Sequence, residues 1–349
     1  MPQSLERYRE FVDINREPSD QMKLLSLEDI KAALDLERPD NLERVIAGQE
    51  EGFVAYSKRQ VVVPEVIYMP FDETRPGGLH VKGARMQKGS VYVVKLAGGC
   101  SDNQVQYGVS TSQGLMIVGS AMTGQPLVLL QDEGYLTDLR TALAGHIAAK
   151  YLAPREITGI GILGSGGQAR FQARYLRSLT PCRELHLWGR NRKRVQACAD
   201  DLERDGYTVE IASSPAEIAQ RANLIVTTTA ATTALLEPEH LRPGTHVTAM
   251  GADAPGKQEL AADVFGRAAR CVVDSRSQCV HHGDSHFAVA LGTIAESDLV
   301  ELGQVIDNPS LRRPDEDAIT VADLTGVGVQ DLQIAAAVAE PLLCSPEMP

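Results

Sequence analysis

Several features that mark other protein classes are missing from this sequence of 349 residues. No stretch approaches the roughly 20 consecutive apolar residues of a membrane-spanning helix, and the charged N-terminus lacks the apolar core of a secretory signal. The six cysteines form no CxxC pair and no zinc-type spacing, which predicts free thiols in a reducing compartment. We therefore expect a cytoplasmic protein that does not bind a membrane.

Basic residues are outnumbered by acidic ones, 34 Lys and Arg against 46 Asp and Glu, for a formal net charge of −12. Nucleic-acid binding depends on a basic surface that neutralises phosphates, so no nucleic-acid partner is expected. A small basic pocket is still compatible with this total. The sequence has no G-x-S-x-G motif for a serine nucleophile. No Cys/His motif accompanies His281, His282 and His286, so we predict no metal site.

The N-terminal part of the chain has the pattern of a mixed α/β domain. Its first 25 or so residues are polar and predict a surface helix or arm. Ser26 and Asp29 have the spacing of a capping box, which predicts a helix start. Short β-rich runs between residues 61 and 130, separated by Gly, Pro, Asn and Asp, predict an antiparallel sheet. An Ala-rich helix follows over residues 136–152 and ends before Pro154.

Strand and helix patterns alternate in the second half. The strand candidates are residues 159–163, 184–188, 224–228, 246–250 and 270–274. This alternation predicts an α/β fold with a doubly wound parallel sheet. A last strand candidate, residues 319–322, precedes an apolar helix over residues 330–343, and we expect that helix to return to the first domain.

A glycine-rich turn separates the first of these strands from the following helix. Residues 164–169 read GSGGQA and match the G-x-G-x-x-G/A fingerprint. Gly164 permits the tight turn, Gly166 lets a pyrophosphate approach the backbone, and Ala169 lets the helix pack close to the strand. The helix N-terminus adds free N–H groups for the phosphates. We therefore predict a dinucleotide site that includes Gly164, Ser165, Gly166, Gly167 and Gln168.

The second strand candidate ends in basic residues rather than in the acidic residue that usually binds the adenosine ribose of NAD. Trp188 is followed by Gly-Arg-Asn-Arg-Lys. Arg190, Asn191 and Arg192 suit a ribose 2′-phosphate, so NADP(H) is favoured, with NAD(H) as the alternative; a solvated basic loop would also explain them. Further cofactor contacts are predicted at the ends of the next two strands, at Thr228, Thr229, Met250 and Gly251.

Five segments occur in the order found in a known family: LTDLRTALAGHIAAKYL, GILGSGGQA, TTTAATTALL, HVTAMGADAPGKQEL and ITVADLTGVGVQD. From about Met22 to its end the sequence resembles the ornithine cyclodeaminase/mu-crystallin family. VKLAGGCSDN, DEGYLTDLRTA, DSRSQC and DLTGVGVQD look closest to its ectoine-utilisation cyclodeaminase-like and imino acid reductase subgroup. The resemblance implies a homodimer and a Rossmann domain, residues 139–315. This domain is inserted into a mixed α/β substrate-binding and dimerisation domain, residues 1–138 and 316–349.

The resemblance also implies roles for individual residues, for a reaction in which hydride passes between a nicotinamide and the Cα of an amino or imino acid. Lys95 and Arg140 match the basic residues that contact the substrate carboxylate, and Arg can hold such a group bidentately. Asp253 matches the carboxylate that handles the substrate amine. Thr325 and Gly326 match the loop that closes over the substrate. Asp253 and Lys95 are the predicted catalytic residues.

One departure bears on the substrate. Ornithine cyclodeaminases have a further arginine in a Pro-x-Arg context, where this sequence reads Val-Pro-Glu-Val-Ile over residues 63–67. Lys82 is the nearest replacement, and a second basic group suits a dicarboxylic imine such as iminosuccinate. The alternatives are a redox-neutral cyclodeaminase of a diamino acid such as ornithine or diaminobutyrate, and a non-catalytic NADPH-binding protein like mu-crystallin.

Overall fold

The computed structural model describes residues 22–71, 77–100 and 103–344. Most of the predicted N-terminal arm lies outside these ranges, and its last part, Lys23–Leu25, is a short strand. Within the described ranges, no helix is both long and apolar enough to cross a membrane.

The elements follow the predicted rhythm, with additional short strands. The strands are β1 (Lys23–Leu25), β2 (Val61–Val62), β3 (Ile67–Pro70), β4 (Gly77–Met86), β5 (Val91–Cys100), β6 (Ser112–Ser120), β7 (Pro126–Leu130), β8 (Ile160–Leu163), β9 (Glu184–Trp188), β10 (Thr208–Ile211), β11 (Leu224–Thr227), β12 (Thr232–Leu236), β13 (His246–Ala249), β14 (Gln258–Leu260), β15 (Arg270–Val273), β16 (Leu299–Glu301) and β17 (Thr320–Asp323).

The helices are α1 (Leu27–Leu34), α2 (Pro39–Ser57), α3 (Asn103–Gln106), α4 (Tyr135–Leu152), α5 (Gly167–Leu176), α6 (Arg192–Arg204), α7 (Pro215–Arg221), α8 (Ala262–Arg267), α9 (Arg276–His282), α10 (Asp284–Ala290), α11 (Leu302–Asp307) and α12 (Gly328–Cys344). The capping box predicted at the start of α1 is confirmed. The Ser26 N–H donates to Asp29 Oδ2 at 2.9 Å, and the Asp29 N–H donates to Ser26 Oγ at 3.2 Å. These bonds satisfy backbone donors that a helix start leaves open.

The chain divides into two compact units. The first comprises Met1–Arg140 and Gly328–Pro349, and the second comprises Thr141–Val327. This division moves the boundary predicted at residue 316, because β17 pairs with β13 on one side and β15 on the other and so belongs to the sheet of the second unit.

The first unit contains a seven-stranded sheet with the order β1-β7-β6-β5-β4-β2, and β3 also pairs with β4. All pairs are antiparallel except β1 with β7, so the antiparallel sheet predicted for residues 61–130 is confirmed. Helix α12 packs on β4, β5 and β6, and α2 packs on α12. In β5, Val91, Val93 and Lys95 are buried while the alternate residues are partly exposed, as expected for a sheet covered by helices on one face.

The second unit contains an eight-stranded parallel sheet with the order β10-β9-β8-β11-β13-β17-β15-β16. Its first five strands along the chain lie in the order 3-2-1-4-5, which is the order of a Rossmann fold. The predicted doubly wound parallel sheet is thus confirmed. The direction of winding reverses between β8 and β11, and ligands of such sheets bind outside the carboxyl ends of the strands at this point.

Candidate active site

The glycine-rich turn lies at this switch point and has room for a phosphate. Gly164 has φ +130°, and a Cβ at this position would overlap Thr228 Oγ1, so only glycine fits. A Cβ on Gly166 would meet no atom within 4 Å. Helix α5 begins at Gly167 without a side-chain cap, which leaves first-turn N–H groups available to an anion. These residues fit a bound dinucleotide.

Arg170, in helix α5, forms hydrogen bonds that stabilise the glycine-rich turn. Its Nη1 donates to the Ser165 carbonyl oxygen at 2.9 Å and to the Gly166 carbonyl oxygen at 3.1 Å. Its Nε donates to Asp201 Oδ2 at 2.6 Å, a hydrogen bond that lowers the pKa of the Asp201 carboxyl. The sequence pattern predicts neither residue, because Asp201 comes from a different helix. Together they hold the two carbonyl groups of the turn in place.

The end of β9 presents basic side chains to solvent. Arg190 and Arg192 are exposed, and neither side chain forms an ion pair with any residue that the structure describes. The Asn191 side chain instead accepts a hydrogen bond from the Arg194 N–H at 3.1 Å and caps helix α6. Two of the three residues predicted to face a 2′-phosphate are therefore available for an anion.

The ends of β11 and β13 bring together the other predicted cofactor residues. The Thr228 N–H donates to the Leu163 carbonyl oxygen at 2.8 Å, which places Thr228 beside the glycine turn. Met250 is nearly buried, and its Sδ accepts a hydrogen bond from Gln172 Nε2 at 2.8 Å. The backbones of Thr229 and Gly251 both donate to the carboxylate of Glu259.

A second site, on the first unit, is a buried cluster of basic residues around one carboxylate. Lys95 Nζ lies 2.8 Å from Asp331 Oδ1, and Arg140 Nε lies 3.2 Å from the same oxygen. The Lys95 and Asp331 side chains are only 2% and 3% exposed. Lys82 is directly opposite Lys95 in the β4–β5 pair, so the two side chains point to the same face with their Cβ atoms about 5 Å apart.

The charged groups of this cluster shift the pKa values of Lys95 and Asp331. Burial lowers the pKa of Lys95 to about 7; Asp331 opposes this shift, while Arg140 and Lys82 add to it. Burial alone would raise the pKa of Asp331, but the positive charges of Lys95, Arg140 and Lys82 outweigh it and the pKa is lowered. Asp331 is thus held ionised beside the two basic groups. Burial also raises the pKa of Asp132, which interacts electrostatically with Lys95.

Helix α12 supplies two residues of the cluster that sequence reasoning missed. The first is Asp331, and the second is Gln330. The Gln330 side chain accepts a hydrogen bond from Arg140 Nη1 at 3.3 Å, and its Nε2 donates one to the Arg140 carbonyl oxygen at 3.2 Å. Both belong to the DLTGVGVQD segment. The sequence feature that could have pointed to Asp331 is an acidic residue in the first turn of a mainly apolar helix. Asp331 Oδ2 is buried and has no hydrogen-bond partner among the described residues.

Asp253 lies in the loop after β13, at the same edge of the parallel sheet as the glycine turn. Its carboxylate is 54% exposed, and Oδ1 is 2.5 Å from Lys257 Nζ. Its exposure leaves the carboxylate accessible to a ligand at this edge.

The predicted substrate loop, Thr325 and Gly326, is positioned by hydrogen bonds to other residues of the second unit. Thr325 Oγ1 donates to Asp274 Oδ1 at 3.2 Å and accepts from Gln278 Nε2 at 2.9 Å. The Gly326 N–H donates to Asp274 Oδ2 at 2.6 Å. Asp274 and Gln278 belong to the DSRSQC segment, so this segment shapes the loop. The hydroxyl of Thr325 already has a donor and an acceptor here.

The three histidines lie in α9 and α10. His286 Nδ1 is 2.8 Å from the Val280 carbonyl oxygen. Over the described ranges of the chain, no group of three or more His, Cys, Asp or Glu residues could hold a metal ion.

The doubly wound sheet and its glycine turn define an α/β protein with a Rossmann dinucleotide-binding unit. The chain belongs to the ornithine cyclodeaminase/mu-crystallin family, whose model matches residues 27–345. It is 36% identical to a putative dehydrogenase of Rhizobium meliloti over 90% of this chain and 94% of that protein. The family and its relatives identify the chain as an enzyme.

Two solved structures are similar over nearly the whole chain. An archaeal alanine dehydrogenase dimer with bound NAD has a TM-score of 0.81 and 30% identity, covering 92% of this chain and 96% of the other. The iminosuccinate reductase of Paracoccus denitrificans, in complex with NAD+, has a TM-score of 0.78 and 30% identity, covering 91% and 95%.

Proposed function

We propose that this protein is an NAD(P)-dependent oxidoreductase that transfers hydride between a nicotinamide and the Cα of a small amino or imino acid. The observation that carries the proposal is the buried cluster of Lys95 and Arg140 around Asp331, because two cations at one buried site suit a small carboxylate. The related alanine dehydrogenase and iminosuccinate reductase, both with bound NAD, support it.

Each of the predicted residues is assigned a role in this proposed reaction. When bound, the nicotinamide supplies or accepts the hydride. Lys95 and Arg140 hold the substrate carboxylate and fix the orientation of Cα. Asp253 holds the substrate nitrogen and donates a proton to it as the C=N bond becomes a C–N bond; in the oxidative direction it removes that proton. Thr325 and Gly326 line the substrate position through the backbone that Asp274 fixes.

The assay that tests this function measures NADPH and NADH absorbance with oxaloacetate, pyruvate or glyoxylate in the presence of ammonia. We expect oxidation of the cofactor that depends on both the oxoacid and ammonia. A second assay measures ammonia release from ornithine or diaminobutyrate. Release without net change of the cofactor would favour a cyclodeaminase, a function consistent with the retained Asp253. Inactivity in both assays would contradict the proposal.

Within this function, Lys82 favours a dicarboxylic imine such as iminosuccinate. Lys82 lies opposite Lys95 on the same sheet face, so a second carboxylate of the substrate would have its own cation. We expect Lys82→Met to lower kcat/KM with oxaloacetate and ammonia by about 10- to 100-fold, the loss of one charge-assisted hydrogen bond. With pyruvate and ammonia the change should stay below about threefold. Equal losses for the two oxoacids would assign Lys82 to another role.

NADP(H) is the proposed cofactor, because the end of β9 presents Arg190 and Arg192 to solvent. Arg190→Ala should weaken NADPH binding by about 5- to 30-fold, as expected for one exposed contact to a phosphate, and leave NADH binding nearly unchanged. Fluorescence titration with each cofactor measures this. Arg242→Ala is a suitable control, since Arg242 is exposed before the amino end of β13. An equal effect on both cofactors would overturn the assignment to the 2′-phosphate.

We also propose a homodimer formed through the open face of the first unit's sheet. The face opposite α12 carries apolar side chains, and Ile67 and Phe71 are each more than half exposed. A cavity of about 400 Å³ on this face is lined by Phe71, Leu79, Leu96, Leu115 and neighbouring residues. An exposed apolar patch of this kind marks a protein interface, and the related alanine dehydrogenase is a dimer.

A further inference from the structure

Glu259, in β14, is a fully buried carboxylate for which the sequence pattern predicts no role. Its Oε1 accepts a hydrogen bond from the Thr229 N–H at 2.5 Å. Its Oε2 accepts from the Gly251 N–H at 2.7 Å and from Thr227 Oγ1 at 2.6 Å. The donors come from the ends of β11 and β13, two neighbouring parallel strands. One carboxylate therefore ties together the two loops that follow these strands.

The geometry requires an acceptor at both oxygens. Each carboxylate oxygen of Glu259 accepts from a backbone N–H. A glutamine has only one side-chain oxygen, so its NH₂ group would have to face one of these two backbone N–H donors, and that donor would lose its acceptor. The pKa of Glu259 is raised, because burial outweighs the hydrogen bonds from Thr227, Thr229 and Gly251 that lower it. Behind it, Asp284 Oδ1 accepts from the backbone N–H groups of Glu259 and Leu260 at 2.7 and 2.8 Å. The strand that carries Glu259 is thus fixed as well.

These loops adjoin the glycine turn. Thr228 lies between two residues bonded to Glu259, and its own N–H donates to the Leu163 carbonyl oxygen, next to Gly164. The segment after β11 is therefore held on one side by β8 and on the other by Glu259. Its position sets the width of the space beside the turn, at the switch point where a dinucleotide binds.

We propose that Glu259 is a positioning residue of the dinucleotide site, which holds the backbones of Thr229 and Gly251 where the bound cofactor requires them. This inference rests on the proposed dinucleotide-dependent function. It assigns a role to a residue that does not itself need to touch the cofactor.

The test is cofactor binding to the Glu259→Gln variant. Binding of NADH and NADPH is measured by their fluorescence and by calorimetry. We expect the dissociation constant of each cofactor to rise by about 10- to 100-fold, because one backbone N–H loses its acceptor and its loop shifts. In steady state, the KM of the cofactor should rise more than the KM of the imino acid. Thr227→Val removes only the hydroxyl donor and should weaken binding by about two- to fivefold.

Glu301→Gln is the matched control for placing a glutamine at a buried glutamate. Glu301 is also buried, at the end of β16, the outer strand of the eight-stranded sheet that contains β11 and β13. It should lower thermal stability without changing cofactor affinity. Unchanged affinity in a folded Glu259→Gln variant would overturn the proposal, as would an equal loss in Glu301→Gln. If Glu259→Gln does not fold, unchanged affinity in Thr227→Val overturns it. Failure of the wild-type protein to bind either cofactor would instead overturn the proposed function itself.

Discussion

Asp253→Asn is expected to lower kcat for imine reduction by about 10²- to 10⁴-fold, the usual contribution of a general acid or base. The amide has the shape of the carboxylate but cannot deliver a proton to the substrate nitrogen. Since Asp253 is more than half exposed, the substitution leaves no cavity and no unpaired buried charge. The fold and the affinity for the cofactor should therefore be unchanged.

Steady-state reduction and fluorescence titration of the cofactor together measure this prediction. Asp317→Asn is the control, because Asp317 is exposed before the amino end of β17, at the opposite edge of the same sheet. It should retain wild-type turnover. A near-normal rate in Asp253→Asn would show that this residue is not part of the mechanism and that another group delivers the proton.

Lys95→Met is the second substitution with a large expected effect. Methionine fills much of the volume of the lysine side chain but has no charge, so the substrate carboxylate loses one charge-assisted hydrogen bond. The expected loss in kcat/KM for the imino acid is about 10- to 150-fold, from roughly 1.5–3 kcal/mol. The dissociation constant of the cofactor should not change, since the predicted cofactor residues all belong to the second unit.

The pH profile provides a further measurement on Lys95. Because burial lowers the pKa of Lys95 to about 7, the free enzyme loses this positive charge as pH rises through 7, and kcat/KM should fall there. Lys95→Met should remove that inflection, whereas Lys88→Met, on the exposed turn between β4 and β5, should retain it. An identical profile in Lys95→Met would contradict the assignment of this titration to Lys95.

The same shift affects stability in a defined direction. Between about pH 7 and the ordinary lysine pKa of 10.5, the unfolded chain binds a proton at Lys95 that the folded chain does not. This group therefore makes the free energy of unfolding increase as pH rises through that window.

Local patterns were sufficient to predict many elements of the fold. The capping box of Ser26 depends on residues three positions apart, and β9 has the predicted bounds, Glu184–Trp188. Strand β4 was not predicted because it is rich in glycine and polar residues, and its extended form depends on pairing with β2, β3 and β5. Pairing between segments distant in the chain is not visible in a local pattern.

The same distinction applies to the candidate sites. The glycine turn is a contiguous motif, so its residues could be predicted together. Asp331 lies 236 positions from Lys95, and Glu259 receives hydrogen bonds from two separate loops. Only the fold brings these groups into contact. Their identity as acidic residues next to apolar segments was visible in the sequence, but their partners were not.

The position of β17 bears on how this protein is made. Residues 320–323 are synthesised after every other strand of the eight-stranded sheet, yet they lie in its interior, between β13 and β15. Until they are synthesised, the growing chain has two strand edges with no partner, of the kind that promotes aggregation. Closing the sheet requires contacts far apart in the chain, which slows folding. Synthesis of this enzyme therefore contains an interval, ending only once residue 323 has been added, in which its eight-stranded sheet is incomplete.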